Sequence, residues 1–361
     1  MDVILHIGVH RTGTTTFQTY LRERSDMLAD QGLAFWGPRR TRNGLFHGIH
    51  GQGAGSGARF RRATGRIALN IARSRDRGRA VLLVSDENMS GSVCDNLRAG
   101  GLYPGIGERL TRVHIAFGGK VDQVVLTIRS LDHYWSSALG YGLTRGQPLP
   151  DADRLDRLVT APRSWRDVIA DVACAMPDAR IRVAPFETLG GRPDALLAEI
   201  LGRPAPRDDA DLWLNRTPGL AALRRLAGEG PQSGALLPEG EGRWHPFDPA
   251  QAAALRETYQ DDLFWLAAGA DGLAETMAYA APGPARQAAH GTGDSLAPGA
   301  DHATGNTRAR DVDHATDPAR PAGLAPPSTK TEAEPNPPVT DMTRGRSNDS
   351  QQRRMAPHRR R

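Results

Sequence analysis

Residues 3–18 read Val3-Ile4-Leu5-His6-Ile7-Gly8-Val9-His10-Arg11-Thr12-Gly13-Thr14-Thr15-Thr16-Phe17-Gln18. Val3 to Ile7 is a short apolar run that ends at Gly8, the pattern of a strand buried on both faces. After a loop, Thr14 to Arg24 sets Phe17, Tyr20 and Leu21 on one helical face. Strand, glycine-bearing loop and helix in that order open an α/β fold.

The same alternation continues outward. Gly32 to Trp36, Ala80 to Val84, Val121 to Ile128 and Arg180 to Ala184 read as further strands. Ile67 to Arg75, Leu131 to Leu143, Pro193 to Leu201, Leu220 to Leu226 and Pro249 to Ala267 read as helices. Arg39 to Arg66 is rich in Gly and Arg without clear periodicity and is expected to be a long surface loop. Apolar strands alternating with helices imply a parallel sheet covered on both faces, with ligands at the carboxyl ends of its strands. The expected fold is therefore α/β, a P-loop-NTPase-like parallel sheet flanked by helices.

Residues that directly follow strands are the first functional candidates. Gly8 and Gly13 have the spacing of the phosphate-binding pattern G-x-x-x-x-G-K-[ST], and Thr15 takes its hydroxyl position. The lysine position is Thr14. The loop thus offers backbone N–H groups and a helix N-terminus to an anion, with a cation at Arg11. A turn that merely caps a helix is the competing reading. The strand Val121 to Ile128 runs into Arg129, and Ser137 lies eight residues on, about two helical turns into the next helix. If the chain turns there, guanidinium and hydroxyl converge on one phosphate.

Composition divides the chain. It has 361 residues, 24% charged and only 39% hydrophobic. Every Trp, Tyr and Phe lies at or before Tyr279, while residues 282–361 hold 11 of the 26 prolines. A segment without aromatics buries too little surface to offset its chain entropy. The expectation is an α/β domain over 1–281 and a disordered Pro/Arg-rich tail over 282–361. The net charge of +5 includes +3 from that tail, so it argues weakly for nucleic-acid binding by the body, and none is expected. The arginine-rich end is read as solvated, with peripheral contact with anionic lipid left open. Cys94 and Cys174 fit no disulfide framework or zinc spacing and read as buried or half-buried. No segment resembles a signal peptide or a bilayer span, so the expected location is cytoplasmic.

Together these stretches resemble the PAPS-dependent sulfotransferases, bacterial members in particular. His10 to Gln18 is similar to their 5′-phosphosulfate loop, which usually reads Lys-[Ser/Thr]-Gly-Thr-Thr. Arg129 with Ser137 resembles their 3′-phosphate motif. Leu82 to Glu87 and Phe186-Glu187-Thr188-Leu189 are similar to two further family segments. The resemblance spans roughly residues 1 to 265. It implies transfer of a sulfuryl group from PAPS to a hydroxyl or amine of a saccharide, glycolipid or similar acceptor. The family's loop lysine is Arg11 here, which keeps the charge but is no proton donor.

The resemblance assigns donor binding to Arg11, Thr12, Gly13, Thr14, Thr15, Thr16, Arg129 and Ser137. Arg11 would neutralise charge on the leaving oxygen, and Arg129 with Ser137 would hold the 3′-phosphate. No metal is demanded, because the PAP leaving group is a stable anion. Glu87, after a buried strand, is the first candidate base, with a pKa expected to be raised by desolvation. A helix-start carboxylate is its competing reading. His47 and His50 are the second candidates; His10 and His133 are ambiguous. Tyr103, Tyr134, Trp135, Tyr141 and Trp165 line either a sugar groove or the core. Asn215-Arg216-Thr217 either touches the acceptor or caps a helix. Two alternatives stand beside this reading: a P-loop kinase or NTPase using Mg-ATP, with Ser85-Asp86-Glu87 holding magnesium, and a non-catalytic protein with a degenerate nucleotide site. The oligomeric state is unassigned.

Overall fold

In a computed structural model of the chain, the structure describes residues 1–50, 57–207, 213–228 and 237–277. The chain divides into two units, Met1–Gln287 and Ala288–Arg361, and all described residues belong to the first. The expected tail and its boundary at 281 lie outside the described residues.

Six strands form one sheet: β1 (Asp2–Gly8), β2 (Leu33–Trp36), β3 (Val81–Ser85), β4 (Gln123–Ile128), β5 (Arg180–Pro185) and β6 (Glu275–Thr276). Their order is β2-β3-β1-β4-β5-β6 and every pairing is parallel. The side-chain period of two explains why the strands read as continuous apolar runs. Val3, Leu5, Ile7, Leu82, Val84, Val124 and Leu126 enter one core cluster. Ile4, Leu83 and Val125 enter the other. Both faces are buried. Helices Gly57–Asp76, Ile106–Ala116, Leu131–Thr144, Trp165–Ala175 and Pro249–Ala267 supply the first cluster. Helices Thr14–Glu23, Ser25–Asp30 and Pro193–Leu201 supply the second.

The chain builds outward from β1 to β2, returns through β3, and then crosses to β4 on the other side. Ligands on open parallel sheets bind at such a reversal of strand order, outside the carboxyl ends. Gly8, Asp86 and Arg129 stand at those ends.

Two expectations are corrected. Residues 39–66 are not one long surface loop. They contain a turn at Pro38–Arg40, a π-helical turn at Thr41–Leu45 and the start of the helix Gly57–Asp76. Leu45, Phe46, Ile49, Phe60 and Ala63 are buried there. The cause is a helix of low apolar content that still spaces Phe60, Ala63 and Ile67 on one face. Cys174 is exposed, whereas Cys94 is half-buried as expected. Tyr103, Tyr134, Trp135 and Trp165 belong to the core. No described helix is long and apolar enough to cross a membrane.

Candidate functional site

The glycine-bearing loop leaves β1 at Gly8, whose φ of +75° lies in the left-handed region. A Cβ there would sit 2.9 Å from both Glu87 Cβ and Thr14 Cγ2. Glycine is therefore what lets the loop close against β3. Arg11 also has a positive φ, 67°, a strained conformation for a residue with a side chain. The helix Thr14–Glu23 begins after Gly13 with no side-chain cap, so its first N–H groups face the loop uncapped.

A cleft above this loop is lined by Arg11, Gly13, Thr14, Thr15, Arg129 and Ser137 from the expected set. The two anion clamps read from the sequence therefore converge on one cavity. Arg11 does not reach away from Ser137 as the separate roles implied. Its Nε donates to Ser137 Oγ (3.0 Å) and its Nη2 to Thr217 Oγ1 (2.8 Å), with Tyr141 beneath the guanidinium. Ser137 and Thr217 hydroxyls are 2.7 Å apart. Arg129 Nη1 donates to the Arg11 carbonyl (3.0 Å), and its guanidinium stacks on Phe186. Trp165 Nε1 donates to the Arg129 carbonyl (2.7 Å), fixing the end of β4 from the core. The other two loop threonines lie underneath. Thr12 Oγ1 donates to the Val9 carbonyl, and Thr16 Oγ1 accepts the Leu214 N–H.

The electrostatics of the cleft are one-sided. Arg11, Arg129, Arg216 and Arg243 line it, and among the described residues no aspartate or glutamate does. Burial and the neighbouring Arg243 push the Arg129 pKa down to about 10. Its Nε is buried without a partner among the described residues. The buried Arg129, whose desolvation Glu187 and Asp132 offset only in part, favours an incoming anion.

Phe186, Trp213, Arg243, Trp244, His133 and His245 complete the cleft. Trp213, Trp244, His245 and Arg243 were not singled out from the sequence. Arg216 and Thr217 were flagged, and they reach the cleft rather than capping a helix. Residues 213–218 form a strap over the loop, with Asn215 Nδ2 donating to Thr15 Oγ1 (3.2 Å). The strap leaves an open volume of only about 70 Å³, against several hundred for a typical ligand pocket.

Glu87 lines no part of this cleft. It sits beside the start of the loop, against Gly8. Burial raises its pKa, but Arg42, His10 and Gln18 together outweigh burial and hold it below the ordinary range. The expected raised pKa is thus corrected: Arg42 Nη2 lies 2.9 Å from one carboxylate oxygen, and Gln18 Nε2 donates to the other (2.7 Å). Asp86 is engaged as fully. Thr41 donates to one oxygen, while Arg42 and the Asn88 N–H donate to the other. The acidic segment thus closes on Arg42, and among the described residues no group of three or more His, Cys, Asp or Glu is placed to hold a metal.

His10 is half-buried, and its pKa is lowered, chiefly by desolvation. Its N–H donates to the Tyr103 hydroxyl (2.9 Å), and Nε2 lies 3.2 Å from Asn88 Oδ1. His133 borders the cleft. His47 and His50 line a second cavity beyond Asp86 and Asn88, so the structure separates them from the anion cleft.

Compared with known proteins, the chain matches no family model and no curated protein.

Proposed function

We propose that the chain is a sulfotransferase that moves a sulfuryl group from PAPS to an acceptor hydroxyl or amine. The observation that carries this reading is the cleft at the switch point of the sheet. It gathers the glycine loop, an uncapped helix start and four arginines, with no acid among the described residues that line it. Such a site suits a donor with several anionic groups, a 5′-phosphosulfate and a 3′-phosphate.

In the transfer, the acceptor oxygen forms a bond to sulfur as the bond from sulfur to the bridging phosphate oxygen breaks. The acceptor loses its proton and PAP leaves with the bond's electron pair. The protein's part is alignment and charge stabilisation. The loop from Thr12 to Thr16 takes the 5′ end. Arg129, carried by β4 and braced by Phe186, takes the 3′-phosphate with Ser137. Arg11, poised on Ser137 and Thr217, transfers its hydrogen bonds to the donor once those partners are displaced. Glu87, which stands against Gly8 at the start of the loop and outside the cleft lining, is the proposed base for an acceptor that approaches from that side. Arg42 keeps it ionised, and Gln18 fixes its direction. His47 is its rival.

The test compares thermal shifts with PAP and with Mg-ATP, followed by labelled sulfate transfer from PAPS to a panel of hydroxyl compounds. Stabilisation by PAP and transfer support the reading. A larger shift with Mg-ATP favours the kinase alternative, and no shift with either favours a degenerate site. Unimpaired turnover in Glu87→Gln moves the base role to His47.

A further inference from the structure

The second cavity, about 520 Å³, opens on the other side of the carboxyl end of β3. It shares no lining residue with the anion cleft. The partition between them is thin. Asn88 lines the second cavity, its Oδ1 meets His10 Nε2, and His10 directly precedes Arg11 of the cleft. The His10–Asn88 pair thus stands between the two cavities.

We infer that this cavity binds a small hydroxyl compound that carries an anionic group, at a site separate from the donor cleft proposed above.

The charge balance of the lining supports the anionic group. The one lining carboxylate, Asp86, is fully engaged by Thr41, Arg42 and the Asn88 N–H. Arg42 is likewise spent, on Asp86 and Glu87. Arg109 differs. Its Nε donates to the Met89 carbonyl (3.2 Å) and its Nη2 to the Asn88 carbonyl (2.5 Å). Among the described residues it has no carboxylate within ion-pair reach. Burial, then the neighbouring Arg112, lowers its pKa, and Asp95 and Asp86 offset this only in part. Two carbonyls hold the guanidinium in place, so it presents a fixed positive charge to the cavity.

The hydroxyl preference comes from His50. Both ring nitrogens are buried without a hydrogen-bond partner among the described residues. Burial, Arg109 and Arg112 push its pKa to about 3, so it is neutral at physiological pH. A neutral imidazole offers one donor and one acceptor, the pair that a hydroxyl satisfies. Asn43 and Asn88 add amides of the same dual character.

The test uses two probes that differ only at one carbon: p-nitrophenyl β-D-glucuronide, with a carboxylate, and p-nitrophenyl β-D-glucoside, with a hydroxymethyl. Each is titrated calorimetrically into the full chain without PAP, and PAP is titrated separately. The glucuronide is expected to bind about tenfold more tightly. Arg109→Gln is expected to remove that preference while leaving PAP affinity unchanged, which also reports an intact fold. Arg109→Lys is expected to restore part of it. Equal affinities for the two glycosides, or a preference that survives Arg109→Gln, overturn the inference. Failure of the wild-type chain to bind PAP overturns the donor reading instead, and the glucuronide comparison is read independently of it.

Discussion

Arg129 is a buried guanidinium whose nearest partners are a backbone carbonyl and an aromatic ring. Desolvating a charge without an acid partner costs stability, and that cost is recovered when an anion arrives. Replacing it should therefore separate binding from folding. Arg129→Met is expected to weaken PAP binding by on the order of a hundredfold, a charge-assisted bidentate contact being worth about 1.5–3 kcal/mol. Its melting temperature should hold or rise. Calorimetric titration and a thermal melt check both halves. His6 carries a second residue-level prediction. It is fully buried beside Ser85, and desolvation lowers its pKa from 6.5 to about 4. The unfolded chain then binds a proton at higher pH than the native chain does. Stability is full above pH 6.5 and declines as pH falls toward 4, by about 3 kcal/mol from this group. His6→Asn should flatten the urea-unfolding free energy across that window. An unchanged pH slope would show that other groups dominate it.

The element that most shapes the cleft is the strap 213–218. Thr15, Thr16, Ser137 and Arg11 all spend hydrogen bonds on it. With so small a volume left beneath it, a nucleotide enters only as the strap shifts. Trp213 packs edge-on to Phe186 and lies over Gly191, where a Cβ would come within 2.2 Å of the indole. PAP binding should therefore change tryptophan emission, and Trp213→Phe should abolish most of that change. Gly191→Ala, at a φ of +72°, should displace the indole and lower stability by about 1–3 kcal/mol, read in a thermal melt. The strap also marks where sequence patterns stop informing. β1, β3 and β4 were legible because both faces of each are buried, which leaves unbroken apolar runs, and β5 by its shorter run Val183-Ala184 after alternating Arg180, Ile181 and Arg182. The loop and Arg129 were legible because they directly follow such strands. Trp213 and Arg243 reach the cleft through irregular chain, where no period links residue type to position. The low pKa of Glu87 was hidden for a related reason. Its partner Arg42 lies 45 residues upstream and arrives on a turn, Thr41–Leu45, that was expected to be surface loop.

At the scale of the whole molecule, the net charge of +5 is divided between a body and a terminal segment, and only the body carries the cleft. Every described residue that lines it falls between Arg11 and His245. The last described strand, β6, pairs with β5 and ends at Thr276, and Met277 is buried in the second core cluster. Among the described residues, the secondary structure that frames the site ends before residue 281. A chain ended there should bind PAP within about twofold of the full chain, since no cleft residue is removed. The cleft's own field should persist with it. Four arginines without an acid attract an anion over a Debye length of about 8 Å at 0.15 M salt. PAP affinity should therefore fall with added salt, with the same slope in the two chains. A steeper slope in the full chain would bring the seven arginines of the last 18 residues into the binding site. A large loss of affinity on truncation would move the domain boundary beyond 281. Titrations of both chains at 0.05 and 0.3 M sodium chloride distinguish these outcomes.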